Sequence, residues 1–415
     1  MKSRHVVGLA LLLVALPAFA QNVLIKNATV HTVSQRGTLK NADVLVRGGT
    51  IAAVGSALAA GDAEVIDAKG KPLTPGIFGG LSGIGIEEVD GESESVDSEF
   101  NTHAPASDQQ WRPELDLSLA FNPRSTRIPV ARVEGITWAM LAPSEGDSII
   151  GGEGSAVTLD GRFDAAIHAS RSLYVFMGSQ GAHRSGGTRA AQYLLLEQAI
   201  RESKAPGASS PNSLLHPAGR EVLARYLVGG RVIFQVDRAA DILQTLAFAR
   251  RNGMKAVIWG GNEAWLVGKE LAQAQVPVIL NPLDDLPENF DRIGATLENA
   301  ARLQRAGVRI VFSGNDSSQI RLVRQLAGNA VAHGLPWDAA LAAITANAAA
   351  VLGLPNRGHI EVGQVADLVL WSGDPLEITN LPDAVWIDGK RMPMRSRQTE
   401  LRDRYWPHVQ ANQAR

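Results

Sequence analysis

Between Gly76 and Leu354 the chain repeats one pattern, and that pattern limits its folds more than any single motif does. A short apolar run is followed by a longer stretch whose apolar residues recur every three or four positions. The runs are ITWAML from Ile136, SLYVFM from Ser172, RVIFQV from Arg231, KAVIWG from Lys255, VPVIL from Val276 and VRIVFSG from Val308. Between or after them lie AADILQTLAFARRNG, NEAWLVGKELAQAQ, ENFDRIGATLENAARLQRAG and SSQIRLVRQLAGNAVAHG, several ending at Gly. Continuous apolar runs of this length are strands buried on both faces, and the three-to-four spacing belongs to helices. Strands joined by crossover helices make a parallel sheet covered on both sides. The length suits an eight-stranded (β/α)8 TIM-like barrel, about 250 residues. An open doubly wound sheet is the alternative, but GGLSGIG after the first strand lacks the spacing and the acidic partner of a dinucleotide fingerprint. No repeat of solenoid period is present.

The flanks read differently. NVLIKNATVHTV and ADVLVRGGTIAAVG alternate apolar and polar residues around Gly turns, as half-buried hairpins do. The same texture returns in VADLVLWSGDP and DAVWIDGKRM. Both ends are therefore expected to build one small composite β-sandwich from residues 21–75 and 355–392, beside a barrel spanning 76–354. Residues 393–415 read as a surface extension with a short helix. The fold class is α/β. With 45% hydrophobic residues the chain can bury a large core and a smaller one. The net charge of -2 and the lack of any Lys/Arg stripe exclude a nucleic-acid surface.

The first residues, MKSRHVVGLALLLVALPAFAQ, have a cationic start, an apolar run from Val6 to Leu16, and small residues Ala18 and Ala20 before Gln21. That order is a signal peptide over residues 1–20, so the protein is expected to be exported, periplasmic or secreted. The apolar run is shorter than the roughly 20 residues a bilayer needs, and no later segment is long and apolar enough for a membrane span. The chain has no Cys, which removes disulfides and a lipid-anchored N-terminus.

Several motifs coincide in order. VLIKNATVHTV with ADVLVRGGTIAAVG, then LTPGIFGG, then GLPWDAALAAITANAAAVLGL, then GHIEVGQVADLVLWSGDPL and AVWIDGKRM resemble the amidohydrolase superfamily, in particular its imidazolonepropionase-like members. The resemblance covers nearly the whole mature chain. It implies metal-dependent hydrolysis of carbon–nitrogen bonds other than peptide bonds, by zinc or another divalent ion at the C-terminal mouth of the barrel. Such an ion lowers the pKa of water toward ~7 and polarises a carbonyl.

The ligand positions that the resemblance implies are mostly changed. The His-x-His of the first strand falls on Leu81 and Gly83, the fifth-strand His on Gln235 and the sixth-strand His on Gly260. No fourth-strand Lys or Glu can be placed. The eighth-strand Asp, which in the family binds metal and moves the proton, is kept as Asp316. A catalytic zinc usually needs about three protein ligands. No metal site is therefore assigned and no cofactor is expected. Asp316 is the catalytic candidate, with Gln235 and Asn315 as substrate-binding candidates. Asp316 also fits the N-cap of a following helix.

Other residues carry weaker chemistry. His103, His168, His183, His216, His333 and His359 are scattered, as surface or cap histidines are. The loop IEEVDGESESVDSEF concentrates Glu87, Glu88, Asp90, Glu92, Glu94, Asp97 and Glu99, and reads as a solvated acidic loop without calcium-loop spacing. Ser179 and Ser313 lack a nucleophile elbow. Three functions follow: an exported family member with reduced or lost catalysis that binds a small molecule or a partner at the mouth; an active carbon–nitrogen hydrolase with an unusual metal site; and a scaffold paired with a catalytic paralogue.

Overall fold

A computed structural model describes residues 22–89, 91–99, 111–144, 146, 148–205, 212–314 and 317–413. The proposed signal peptide, His103, Asn315 and Asp316 lie outside the described residues. The strands in chain order begin with β1 (Val23–His31), β2 (Thr38–Arg47), β3 (Thr50–Gly55), β4 (Glu64–Asp67) and β5 (Pro72–Pro75). Then come β6 (Ile77–Ser82), β7 (Ile136–Leu141), β8 (Ile150–Thr158), β9 (Ala166–Phe176), β10 (Arg231–Val236), β11 (Lys255–Gly260), β12 (Val278–Leu280) and β13 (Ile310–Phe312). The last are β14 (Leu368–Trp371), β15 (Pro382–Ile387) and β16 (Lys390–Arg391).

Both ends of the chain meet in one sheet, ordered β16-β15-β14-β5-β1-β2-β3 with β4 on β1. The join is the antiparallel pairing of β14 with β5, where Leu370 faces Leu73. Val23, Ile25, Val44, Val46, Leu368 and Trp386 form part of a separate apolar core for this sheet. The alternating pattern of the flanks is thus the inward face of a composite sheet.

The second sheet runs β6 through β13 in sequence order. Its ends approach each other: the Leu81 N–H on β6 donates to Oγ of Ser313, just past β13, at 2.9 Å. The result is a nearly closed eight-stranded barrel. Alternate residues point inward, and Phe78, Trp138, Met140, Tyr174, Ile233, Val257, Ile279 and Val311 fill the interior. Their neighbours in sequence, among them Ile77, Val232, Phe234, Ile258, Val278, Ile310 and Phe312, belong to the core shared with the helices outside.

One barrel strand differs from the simple repeat. β8 is antiparallel to both β7 and β9. Its sequence, IGGEGSAVT, carries three glycines and no apolar run. The glycines are there because the neighbours sit too close for side chains. A Cβ on Gly154 would lie 1.9 Å from the Leu141 carbonyl oxygen, and one on Gly151 would lie 2.7 Å from the Phe176 ring.

The helices are shorter than the periodicity implied. Ala239–Arg251 forms as expected. The stretch from Glu288 stays irregular until Asn299–Arg305. Its residues are committed to long-range bonds instead: Asp291 to Arg189, Arg292 to Asp237, and the Gly294 N–H to Glu263. The C-terminal extension forms a helix over Arg397–Gln413, longer than anticipated. Among the described residues no helix is long and apolar enough to cross a membrane.

Candidate functional site

The C-terminal ends of the parallel strands surround a cavity of about 270 Å³, lined by Leu81, Ser82, Gly83, Glu87, Ala142, Pro143, Ser144, Phe176, Gln235, Trp259 and Gly314. Strand register explains the membership. Phe176 follows inward-facing Tyr174 by two residues, Gln235 follows Ile233, and Trp259 follows Val257. Each therefore stands one layer above the packed interior, at the rim. Gln235 and Trp259 are direct cross-strand partners. Trp259 meets the Tyr174 ring edge-on at 6.1 Å and the Phe176 ring at 6.5 Å. The Gln235 Oε1 atom is buried and has no hydrogen-bond partner among the described residues.

Two glycines of this rim occupy positions where the family resemblance would put imidazoles, and both lie under carboxylates. A Cβ on Gly83 would be 2.3 Å from Glu87 Cδ and 2.5 and 2.6 Å from its two oxygens. Glu87 reaches this place through a tight turn in which its own N–H donates to the Gly83 carbonyl at 2.8 Å. It is 6% exposed, and Ser144 Oγ donates to its Oε1 at 3.1 Å. The solvated acidic loop expected from sequence is therefore corrected at this residue: Glu87 is drawn into the cavity wall. Gly260 has φ +90°, a conformation that suits glycine, and a Cβ there would be 2.5 Å from Asp237 Oδ1. Gly178, just past β9, repeats the arrangement, with Asp291 Oδ2 at 2.9 Å from the would-be Cβ.

Basic side chains and loop N–H groups hold the two aspartates. Asp237 accepts from Asn262 Nδ2 at 2.8 Å and from Arg292 Nε at 3.0 Å. Asp291 accepts from the Ser179 N–H at 2.8 Å and from Arg189, whose Nε also donates to Asp241 at 2.8 Å. Arg238 donates to the other Asp241 oxygen at 2.6 Å. Burial alone would raise the Asp291 pKa, but the Ser179 hydrogen bonds and the Arg189 charge outweigh it and bring it below the ordinary carboxylate value. Burial likewise opposes the Arg189 charge, yet Asp241 and Asp291 raise its pKa further. The loop after β12 is thereby fastened to the loops after β9, β10 and β11.

Of the candidates read from sequence, Gln235 lines the cavity, while Asn315 and Asp316 lie outside the described residues. Ser313 joins the two ends of the barrel sheet, and the Ser179 N–H serves Asp291. His216 caps the helix that follows it, and His359 Nδ1 lies 2.6 Å from the Val33 carbonyl. His168 and His183 are exposed. Among the described residues no group of three His, Cys, Asp or Glu side chains is placed to hold a metal ion. Sequence reasoning missed Glu87, Ser144, Phe176 and Trp259 as cavity residues. For the two aromatics the usable signal was position, two residues beyond an inward-facing strand residue.

The amidohydrolase family model matches residues 215–392. An amidohydrolase of known structure from Thermotoga maritima superposes with a TM-score of 0.78 over 90% of this chain and 100% of its own, at 26% identity. The chain is similar to amidohydrolases in its fold and, over residues 215–392, in its sequence. The amidohydrolase tasK of Hapsidospora irregularis is 26% identical over 403 residues, covering 84% of this chain; the chain spans only 39% of that protein's length. A dihydroorotase of Halalkalibacterium halodurans is 48% identical over 54 residues, 13% of this chain and 12% of its own. A triazine hydrolase from Arthobacter aurescens shares the fold, with a TM-score of 0.54 and 17% identity over 94% of this chain and 99% of its own.

Proposed function

We propose that this amidohydrolase-like protein is exported and binds a small molecule at the barrel mouth without the family's metal-assisted hydrolysis. The observation that carries the reading is the pair of carboxylates over Gly83 and Gly260. Four of the ligand positions that the resemblance implies hold Leu81, Gly83, Gln235 and Gly260, of which only Gln235 has a side-chain donor atom, and that one is neutral; the fifth, Asp316, lies outside the described residues. The spaces that imidazoles would fill are taken by Glu87 and Asp237. These residues do not fit the metal centre of the family, where about three protein ligands are needed. Asp237 and Asp291 are neutralised internally by Arg292 and Arg189. The ion pairs tie together strand-end loops, a task that a bound metal also performs where one is present. The Phe176 and Trp259 rings, Ser144 and the Gln235 oxygen, which has no partner among the described residues, leave a small cavity that mixes apolar surface with polar anchors, as ligand sites do.

Export rests on the signal-like first twenty residues, and it makes a periplasmic or extracellular ligand the expected one. The test is metal content after expression in zinc-, manganese- and iron-replete medium and purification without chelator. Fewer than about 0.1 metal per chain is expected, since a tightly held ion survives such handling. One ion per chain, together with hydrolysis of amide or cyclic amide substrates that stops on chelation, would restore the active-hydrolase reading. A stable complex with a histidine-complete paralogue would favour the scaffold reading.

A further inference from the structure

We propose that a groove at the N-terminal end of the barrel, opposite the mouth, binds an aliphatic carboxylate. The site stands apart from the mouth and does not depend on what fills it. The groove has a volume of about 600 Å³, within the roughly 300–1,000 Å³ of small-molecule sites. Strand register sets its chemistry. Ile233, Val257, Ile279 and Val311 fill the barrel interior. The positions two residues earlier share that inward register, one layer nearer the N-terminal end. They hold Arg231, Lys255, Pro277 and Arg309. Lys255, Pro277 and Arg309 line the groove, and Arg231 is the direct cross-strand partner of Lys255. The helices Trp337–Ala343 and Ala346–Val351 supply the facing wall through Ala339, Ala342, Asn347 and Ala350.

The charges there have one sign. Lys255 and Arg309 are the charged side chains of the lining, which contains no Asp, Glu or His. Neither side chain has a hydrogen bond or ion pair among the described residues. Arg231 donates to the Ser170 carbonyl at 3.0 Å and to Ser172 Oγ at 3.3 Å, both neutral acceptors. Its Nε is buried without a partner among the described residues. Three like charges on one inward register repel one another, and an anion between them relieves that repulsion. Lys255 and Arg309 begin strands on either side of β12, so two strand spacings put their backbones about 10 Å apart. Both long side chains can meet on one carboxylate, Arg309 by its planar fork and Lys255 as a point charge. Val257, Leu271, Val308 and Val351 are buried and give the groove an apolar floor. That floor suits a hydrocarbon chain, which an inorganic anion lacks. The volume is that of roughly 20 waters at ~30 Å³ each, enough for an eight-carbon chain. A cationic ligand would meet Lys255 and Arg309 with no acid in the lining.

Isothermal titration of the full chain with sodium octanoate, 1-octanol, octylammonium chloride and inorganic phosphate, at neutral pH and low salt, tests this. Octanoate is expected to bind at least tenfold more tightly than octanol or phosphate, and octylammonium more weakly than octanol. Lys255→Met combined with Arg309→Met keeps the apolar stems and is expected to erase the preference for octanoate over octanol. Both residues are exposed, so the fold should survive, as circular dichroism checks. Should the double variant fail to fold, each single variant is expected to weaken octanoate binding severalfold, and Lys255→Arg to retain it. Equal binding of octanoate and octanol, or phosphate binding as tightly as octanoate, would overturn the proposal. A folded double variant that still prefers octanoate would also overturn it, by leaving the two cations without a part in binding.

Discussion

The contact between Gly83 and Glu87 yields a double-mutant cycle with an unusual sign. Gly83→Ala adds one methyl carbon 2.3 Å from Glu87 Cδ, where ordinary carbon contacts are about 3.5–4.0 Å. The carboxylate must retreat by more than ~1 Å. Retreat breaks its bond with Ser144 Oγ and leaves a charged group poorly satisfied, which costs about 1–3 kcal/mol. The backbone adds no penalty, because Gly83 is not among the residues with positive φ. Once Glu87→Ala has cleared the space, Gly83→Ala should therefore be neutral or stabilising by about 0.4–1 kcal/mol, through the reduced entropy of the unfolded chain. The coupling between the two substitutions is about 1–3 kcal/mol. At about 2 cal/mol/K per residue over the roughly 280 residues of the barrel, that cost lowers the thermal midpoint by ~2–5 °C in the native background. Calorimetry or circular-dichroism melting of the four proteins measures it. An equal effect of Gly83→Ala in both backgrounds would show that Glu87 does not fill the space over Gly83, and the account of the mouth would lose its first support.

Gly154→Ala places a Cβ 1.9 Å from the Leu141 carbonyl oxygen; neither backbone can yield cheaply, so a loss of about 3 kcal/mol or more is expected from urea unfolding. Asp291→Asn weakens the bonds to Arg189 and the Ser179 N–H and should cost about 1–3 kcal/mol at neutral pH. Because the Asp291 pKa is below its ordinary 3.8 in the folded state, its contribution is present above that value and is lost as pH falls through the folded-state pKa; the stability gap between wild type and Asp291→Asn should be flat from neutral pH to mildly acidic pH and shrink in strong acid. Placing His at positions 81, 83, 235 and 260 together should not create a zinc site by itself, since Glu87 and Asp237 stand in the way; adding Glu87→Ala and Asp237→Ala should raise zinc uptake measured by competition with a chromogenic chelator.

The architecture was legible where the physics is local and repetitive. RVIFQV and KAVIWG hold apolar residues at consecutive positions because both faces of β10 and β11 are covered, and the hairpins of the flanks alternate because the composite sheet has its own inward face. β8 was not legible: Gly151, Gly152 and Gly154 erase the apolar signal, and their purpose appears only when Leu141, Leu115 and Phe176 are seen against them. The segment from Glu288 looked helical because its spacing is helical; long-range ion pairs of Asp291 and Arg292 hold it in turns instead. At the site, the changed residues Leu81, Gly83, Gln235 and Gly260 were readable by position against the family. What fills the vacated space was not. Nothing in IEEVDGESESVDSEF distinguishes the acid that turns inward from Glu92, Glu94, Asp97 and Glu99, which are exposed, and Asp237 lies two residues beyond Gln235 with no pattern linking it to Gly260.

Crystals of the protein soaked in zinc chloride, with data collected on both sides of the zinc absorption edge, place any bound ion directly. The account predicts no anomalous peak within the barrel mouth and Glu87 and Asp237 carboxylates lying over Gly83 and Gly260. A zinc peak coordinated by three or more protein atoms between those residues would contradict it.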